Sequence, residues 1–189
     1  MKKKILTTVF ILSLVFNSLP FYAAASWIKG EDGKIVVPES VQVPWSNPVL
    51  GLRARLLVES TEIKSGQLPR CLMQVQNVSK EIILLNDDFS LNGPAVYGED
   101  GVLCRHRIYF EAMPKEKQSY HAISPGEYIS IEVTPNYVMD TPGNYKLYFG
   151  IYPIEWGSEN PDKPGELLRP ASDKWENPMT SNEVIVTIE

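Results

Sequence analysis

The 189-residue chain contains two cysteines and two histidines, and it lacks the short motifs that mark most catalytic or nucleotide-binding proteins. No Gly-x-Ser-x-Gly elbow occurs, which excludes the nucleophile turn of an α/β-hydrolase. A Ser-His-Asp set would have to be assembled around His106 or His121 without any local signature. Asp87 and Asp88 are adjacent, and in a strand adjacent side chains point to opposite faces, so they do not make an acid–base pair. There is no Gly-rich phosphate loop. No Lys/Arg stripe is present, and acidic residues outnumber basic ones by 23 to 18, which argues against nucleic acid or an anionic membrane surface as partner. No segment has the periodicity of an amphipathic helix. The expectation is a non-catalytic protein without a cofactor.

Long apolar runs are also missing, except at the start. Lys2, Lys3 and Lys4 precede an apolar stretch from Ile5 to Phe16, then Pro20, then Ala23-Ala24-Ala25. This is the pattern of a signal peptide, too short to span a bilayer comfortably, with cleavage expected before Ser26. No cysteine lies near that site, which argues against a lipid anchor. The expected location is secreted or periplasmic, with no membrane span. The leader holds three of the 18 basic residues and none of the acidic ones, so the mature chain carries a net charge of −8.

What is present is period-two alternation. Leu52, Ala54, Leu56 and Val58 alternate with Arg53, Arg55 and Glu59; Cys71 to Val78 and Glu81 to Asn86 follow as strands, the latter with Ile82-Ile83-Leu84-Leu85 buried on both sides. Ala95 to Tyr97 and Val102 to Phe110 flank Gly98-Glu99-Asp100-Gly101, a hairpin signal. Ile129, Ile131 and Val133 alternate within Glu127 to Thr134, and Val184, Val186 and Ile188 within the last strand. Between them Asp140-Thr141-Pro142-Gly143-Asn144-Tyr145 leads into a strand whose apolar positions are Tyr145, Leu147, Phe149 and Ile151. The plan expected is a signal peptide over 1–25, an N-terminal arm over 26–49 pinned by Trp27 and Trp45, and a β-sandwich over 50–189.

The Asp-x-x-Gly-x-Tyr turn resembles the tyrosine corner of immunoglobulin-like Greek-key sandwiches, whose phenol bonds to backbone a few residues upstream. Gly51-Leu52-Arg53-Ala54-Arg55-Leu56, Gly66 and Pro69, Asn77-Val78-Ser79, Ser124-Pro125-Gly126-Glu127, Pro142-Gly143-Asn144-Tyr145, and Trp175 ahead of Ser181-Asn182-Glu183-Val184 extend the resemblance over most of the mature chain. It is to the immunoglobulin-like domains of secreted bacterial proteins. The resemblance implies an all-β, immunoglobulin-like Greek-key sandwich of seven to eight strands, with a long loop before the last one. These motifs punctuate turns and strands, so they imply architecture and not activity. A family of immunoglobulin-like proteinase inhibitors shares the punctuation, but no inhibitory loop signature is present.

Four candidate sites follow from the residues. Roughly 28 residues from Ile154 to Asn182 show little strand pattern and contain Trp156 and Trp175; loops of this length are usually functional or disordered. Tyr148, Tyr152 and Trp156 form the candidate binding surface, a flat aromatic face for a carbohydrate or a protein partner; the alternative is that the tryptophans cap the sandwich end. Asp88, Ser90, Asn92 and Gly93, with Glu99 at the twelfth position, match a relaxed calcium loop, against which stand the flanking strands, Pro94 and the weak Ser and Asn ligands. Cys71 and Cys104 fall on apolar strand faces, so in an oxidising compartment they are read as a disulfide or, failing that, as two core thiols. With His106 and His121 they are also the only soft-metal ligands, without the close spacing a zinc site requires.

Overall fold

Residues that alternate in the sequence alternate in burial. The computed structural model describes residues 27–31, 35–37, 43–86, 93–108, 120–152, 156–159, 162, 167–168 and 178–189; the expected signal peptide lies outside them. Among the described residues there is no helix, and the strands are β1 (Ile28–Lys29), β2 (Ile35–Val36), β3 (Leu52–Val58), β4 (Glu62–Ile63), β5 (Cys71–Asn77), β6 (Ile83–Asn86), β7 (Ala95–Tyr97), β8 (Tyr120–Ile123), β9 (Tyr128–Val133), β10 (Gly143–Tyr148), β11 (Gly150–Ile151), β12 (Trp156–Glu159), β13 (Leu167–Leu168), β14 (Met179–Thr180) and β15 (Val184–Ile188).

The strands form an all-β sandwich. One layer has the order β4-β15-β10-β7, prolonged by the β11-β14 pair; the other is β3-β5-β9, continued by β13-β12-β6-β8. Leu52, Ala54, Leu56, Cys71, Met73 and Val75 from the second layer face Val96, Tyr145, Leu147, Phe149, Val184 and Val186 from the first in one buried cluster. Each fully buried aliphatic side chain of this size contributes roughly 1.5–3 kcal/mol.

The second layer bends where β5 gives way to β6. Asn77, fully buried, holds the bend: its Nδ2 donates to Glu81 O at 2.7 Å and Ile123 O at 2.8 Å, and its Oδ1 accepts from Ser79 N at 2.8 Å and Ser79 Oγ at 2.7 Å. Beside it Gly51 sits at φ 83°, where an added Cβ would come within 2.8 Å of Ser79 Cβ, so only glycine fits. The Asn77-Val78-Ser79 sequon is thus closed to glycosylation in the folded domain.

The tyrosine corner is present. Tyr145 is buried and its hydroxyl donates to Thr141 O at 2.7 Å. The partner strands β10/β11 and β15/β14 are interrupted by a bulge. Leu147 pairs with Val184 and Gly150 with Thr180, so Tyr148 and Phe149 stand opposite Ser181, Asn182 and Glu183. The extra residue turns Asn182 toward the other layer, where its Oδ1 accepts from Leu56 N at 2.7 Å and its Nδ2 donates to Leu56 O at 3.0 Å.

Three expectations need correction. Val102 to Phe110 is not a continuous strand. The turn at Gly98 to Gly101 closes as expected, with Gly101 N donating to Gly98 O at 3.0 Å. After Cys104, however, the chain leaves β7 for the 136–138 segment, with Val138 N bonded to Arg105 O at 2.9 Å and Arg107 N to Asn136 O at 3.0 Å. The stretch expected as one long loop contains β12, β13 and β14, because β6 is an interior strand and needs a partner on each side: β8 on one, β12 on the other. Ile82 is exposed; burial on both sides begins at Ile83. Trp27, Ile35 and Val37 pack on Val43, Leu57 and Leu72, outside the second layer.

Candidate functional site

The outward face of β7, β10 and β15 carries the aromatic residues. Because Tyr145 and Leu147 point inward, Lys146 and Tyr148 point outward. The register sets Lys146 opposite Tyr97 and Tyr148 opposite Ala95, so the two tyrosines are diagonal neighbours within reach of each other. Their rings lie parallel, 5.3 Å apart at an interplanar angle of 5°. Hydrogen bonding to the Tyr97 phenol first, and burial second, push the Tyr148 hydroxyl up to about 12. Tyr152, 37% exposed, lies near enough to add to that shift. Lys146 and Glu183 form an ion pair of 3.4 Å beside the stack; being exposed it adds little stability, but it gives the tyrosines a polar border.

The structure therefore brings Tyr148 and Tyr152 together, and adds Tyr97, which sequence reasoning missed. The signal for Tyr97 was the alternation in Ala95-Val96-Tyr97, with Val96 buried. Of Trp156 the backbone is described: it pairs with Leu85 in the other layer, so it belongs to a strand and not to a loop beside β10.

Asp88, Ser90 and Asn92 lie outside the described residues. Glu99 shapes the tyrosine-corner turn, its Oε1 accepting from Asn144 N at 3.0 Å and Asn144 Nδ2 at 2.9 Å. Among the described residues no group of three or more His, Cys, Asp or Glu side chains could hold a metal ion. His106 packs its ring on Tyr137, 4.3 Å away, while His121 lies in β8 opposite Leu85.

Cys71 and Cys104 are free thiols, which corrects the disulfide expectation in favour of its alternative. Both contact the same core, but Cys71 stands in β5 between Val58 and Val133, and Cys104 follows β7 in the opposing layer, its N bonded to Val96 O at 2.8 Å. A shared apolar core does not supply the close Cα approach a bridge requires. Burial pushes the Cys71 thiol up to about 12; burial, then the charge of Asp100, also raises Cys104.

Among the described residues no helix is long and apolar enough to cross a membrane. Fold and site together define an all-β sandwich with an exposed tyrosine face. No protein-family profile and no curated protein sequence matches the chain. Among solved structures it is similar to the crystal structure of the C-terminal domain of wzt, at 13% identity and a TM-score of 0.39, over 77% of this chain and 76% of that one.

Proposed function

We propose that this protein is an exported, non-catalytic binding module of the immunoglobulin-like kind, which recognises a carbohydrate or a protein through Tyr97, Tyr148 and Tyr152. The observation that carries the reading is the parallel Tyr97–Tyr148 pair on a solvent-facing sheet surface: rigid, amphipathic rings supply contact area at a low cost in conformational entropy. The test is a thermal-shift and calorimetric screen of the purified protein against oligosaccharides and peptidoglycan fragments. A ligand at about 100 times its Kd adds roughly 2.7 kcal/mol of stability. Tyr148→Ala is expected to abolish binding and leave the Tm within a few degrees. Binding that survives the substitution would remove this reading.

Assembly through a sheet edge is the second reading, supported by the state of the two edges of β3-β5-β9. Along β3 the outward backbone groups are taken: Leu52 by Val49, Ala54 by Ser46, Leu56 by Asn182. β9 is the last strand on the other side, and among the described residues its outer edge has no backbone partner. Such an edge can accept a strand from another chain. Sedimentation over a wide concentration range tests this; a strict monomer at every concentration retires it.

A further inference from the structure

A second constellation lies on the outward side of β3, β5 and β9, in the layer opposite the tyrosines. The register runs Arg53 to Gln76 to Tyr128 and, beside it, Arg55 to Gln74 to Ser130. Arg53 Nε donates to Gln76 Oε1 at 2.8 Å and Arg55 Nε to Gln74 Oε1 at 2.6 Å. The glutamines are held in turn, Gln74 Nε2 donating to Ser130 Oγ at 2.8 Å and Gln76 Nε2 to Gly126 O at 3.0 Å. Trp45 from the arm faces both guanidiniums, its ring centre 5.1 Å from Arg53 Cζ and 4.5 Å from Arg55 Cζ, and meets Tyr128 edge-on at 6.4 Å.

These two arginines differ from their neighbour in one respect. Arg70, on the same face under Trp27, has two carboxylates, Glu59 at 2.8 Å and Glu132. Arg53 and Arg55 have none within ion-pair distance among the described residues. Among the described residues their four Nη groups make one bond to protein, Arg55 Nη1 to Val43 O at 3.3 Å. Burial lowers the Arg55 pKa, the Tyr128 phenol opposes that shift, and the like charge of Arg53 adds to it. The chain is acidic overall, with 23 Asp and Glu residues, yet among the described residues no acid is placed here. Half-buried charges are normally paired. Neutral acceptors fix each Nε and leave the planar Nη forks for an external anion, which they can grip bidentately.

We propose that Arg53 and Arg55 form a binding site for the carboxylate of an acidic saccharide, with Trp45 and Tyr128 as its aromatic walls. A sugar fits better than an acidic peptide. The main-chain edge beside the arginines, that of β3, is closed by Ser46 and Asn182, and the open edge of β9 lies two strands away, so a peptide has no strand to extend next to the guanidiniums. Tyr128, 49% exposed, offers a ring for a pyranose, and Gln76 and Ser130 offer neutral hydrogen-bonding groups.

The experiment is calorimetric titration of the purified protein with oligogalacturonate, oligoglucuronate and oligomannuronate, against neutral oligosaccharides, polyglutamate and inorganic phosphate. At least one uronate is expected to bind in a way that depends on Arg53, whereas any binding of a neutral sugar is expected to be indifferent to Arg53→Gln. Arg53→Gln should weaken uronate binding on the order of tenfold or more, and Arg53→Lys, which keeps the charge but loses the fork, should not restore it fully. Arg53 serves as the test because, among the described residues, its guanidinium hydrogen-bonds Gln76 alone, whereas that of Arg55 also bonds the arm backbone at Val43 O. Tyr148→Ala should leave uronate binding unchanged, which separates this site from the tyrosine face. Failure of all three uronates to bind, equal binding of polyglutamate or phosphate, or indifference to Arg53→Gln would each overturn the proposal.

Discussion

Replacing Asn77 by alanine is expected to be the most damaging single polar substitution in this domain. Four hydrogen bonds of 2.7 to 2.8 Å converge on its carboxamide. Three involve Ser79 and Glu81, close enough to solvent for water to take over in part, and each contributes about 1 kcal/mol net. The fourth is buried: Ile123 is buried, and its carbonyl would lose the Asn77 donor where water cannot replace it, at roughly 1–3 kcal/mol. The total is about 4–6 kcal/mol, or a Tm lower by roughly 10–20 °C in a domain of this size. Asn77→Asp should be no better, since it keeps the two accepted bonds but loses both donated ones and buries a charge. Urea unfolding followed by circular dichroism measures the loss, with an unchanged m-value as the check that both variants still unfold from the same native state. A loss below about 1 kcal/mol would refute the claim that this amide holds the bend between β5 and β6.

Two further outcomes follow. Tyr145→Phe removes the 2.7 Å bond to Thr141 O, but Thr141 is exposed and water can replace the phenol, so the cost should be about 1 kcal/mol and ~2–4 °C in Tm; no change would mean that the corner contributes nothing. Cys71, pushed up to about 12, stays protonated at pH 8, so a thiol reagent should miss it in the folded protein and count both cysteines in guanidinium. Because its folded pKa is raised, its contribution to stability is complete below the unfolded value of about 8.5 and is lost as the pH rises toward 12. Rapid labelling of Cys71 under native conditions would contradict its burial.

The local and the periodic features of this protein were legible in the sequence. The alternation of β3, β10 and β15 follows from one face of each being buried, and the tyrosine corner spans Thr141 to Tyr145, a distance the turn itself fixes. Tyr148 and Tyr152 were readable as outward residues for the same reason. What depended on pairing across the chain was not. Register between β7 and β10 put Tyr97 on Tyr148; the demand of β6 for a second partner made a strand of Trp156–Glu159, a segment too polar to announce one. Asn182 reaches Leu56 from 126 positions away, and nothing in either sequence neighbourhood encodes that meeting. The cysteines show the limit most plainly: facing a common core is a property of each strand, but being close enough to bond is a property of how two layers are stacked. The uncompensated charge of Arg53 and Arg55 is of that second kind. Each reads in the sequence as an ordinary exposed position of an amphipathic strand, and only the packed arm and sheet determine that glutamines and a tryptophan, and among the described residues no carboxylate, surround them.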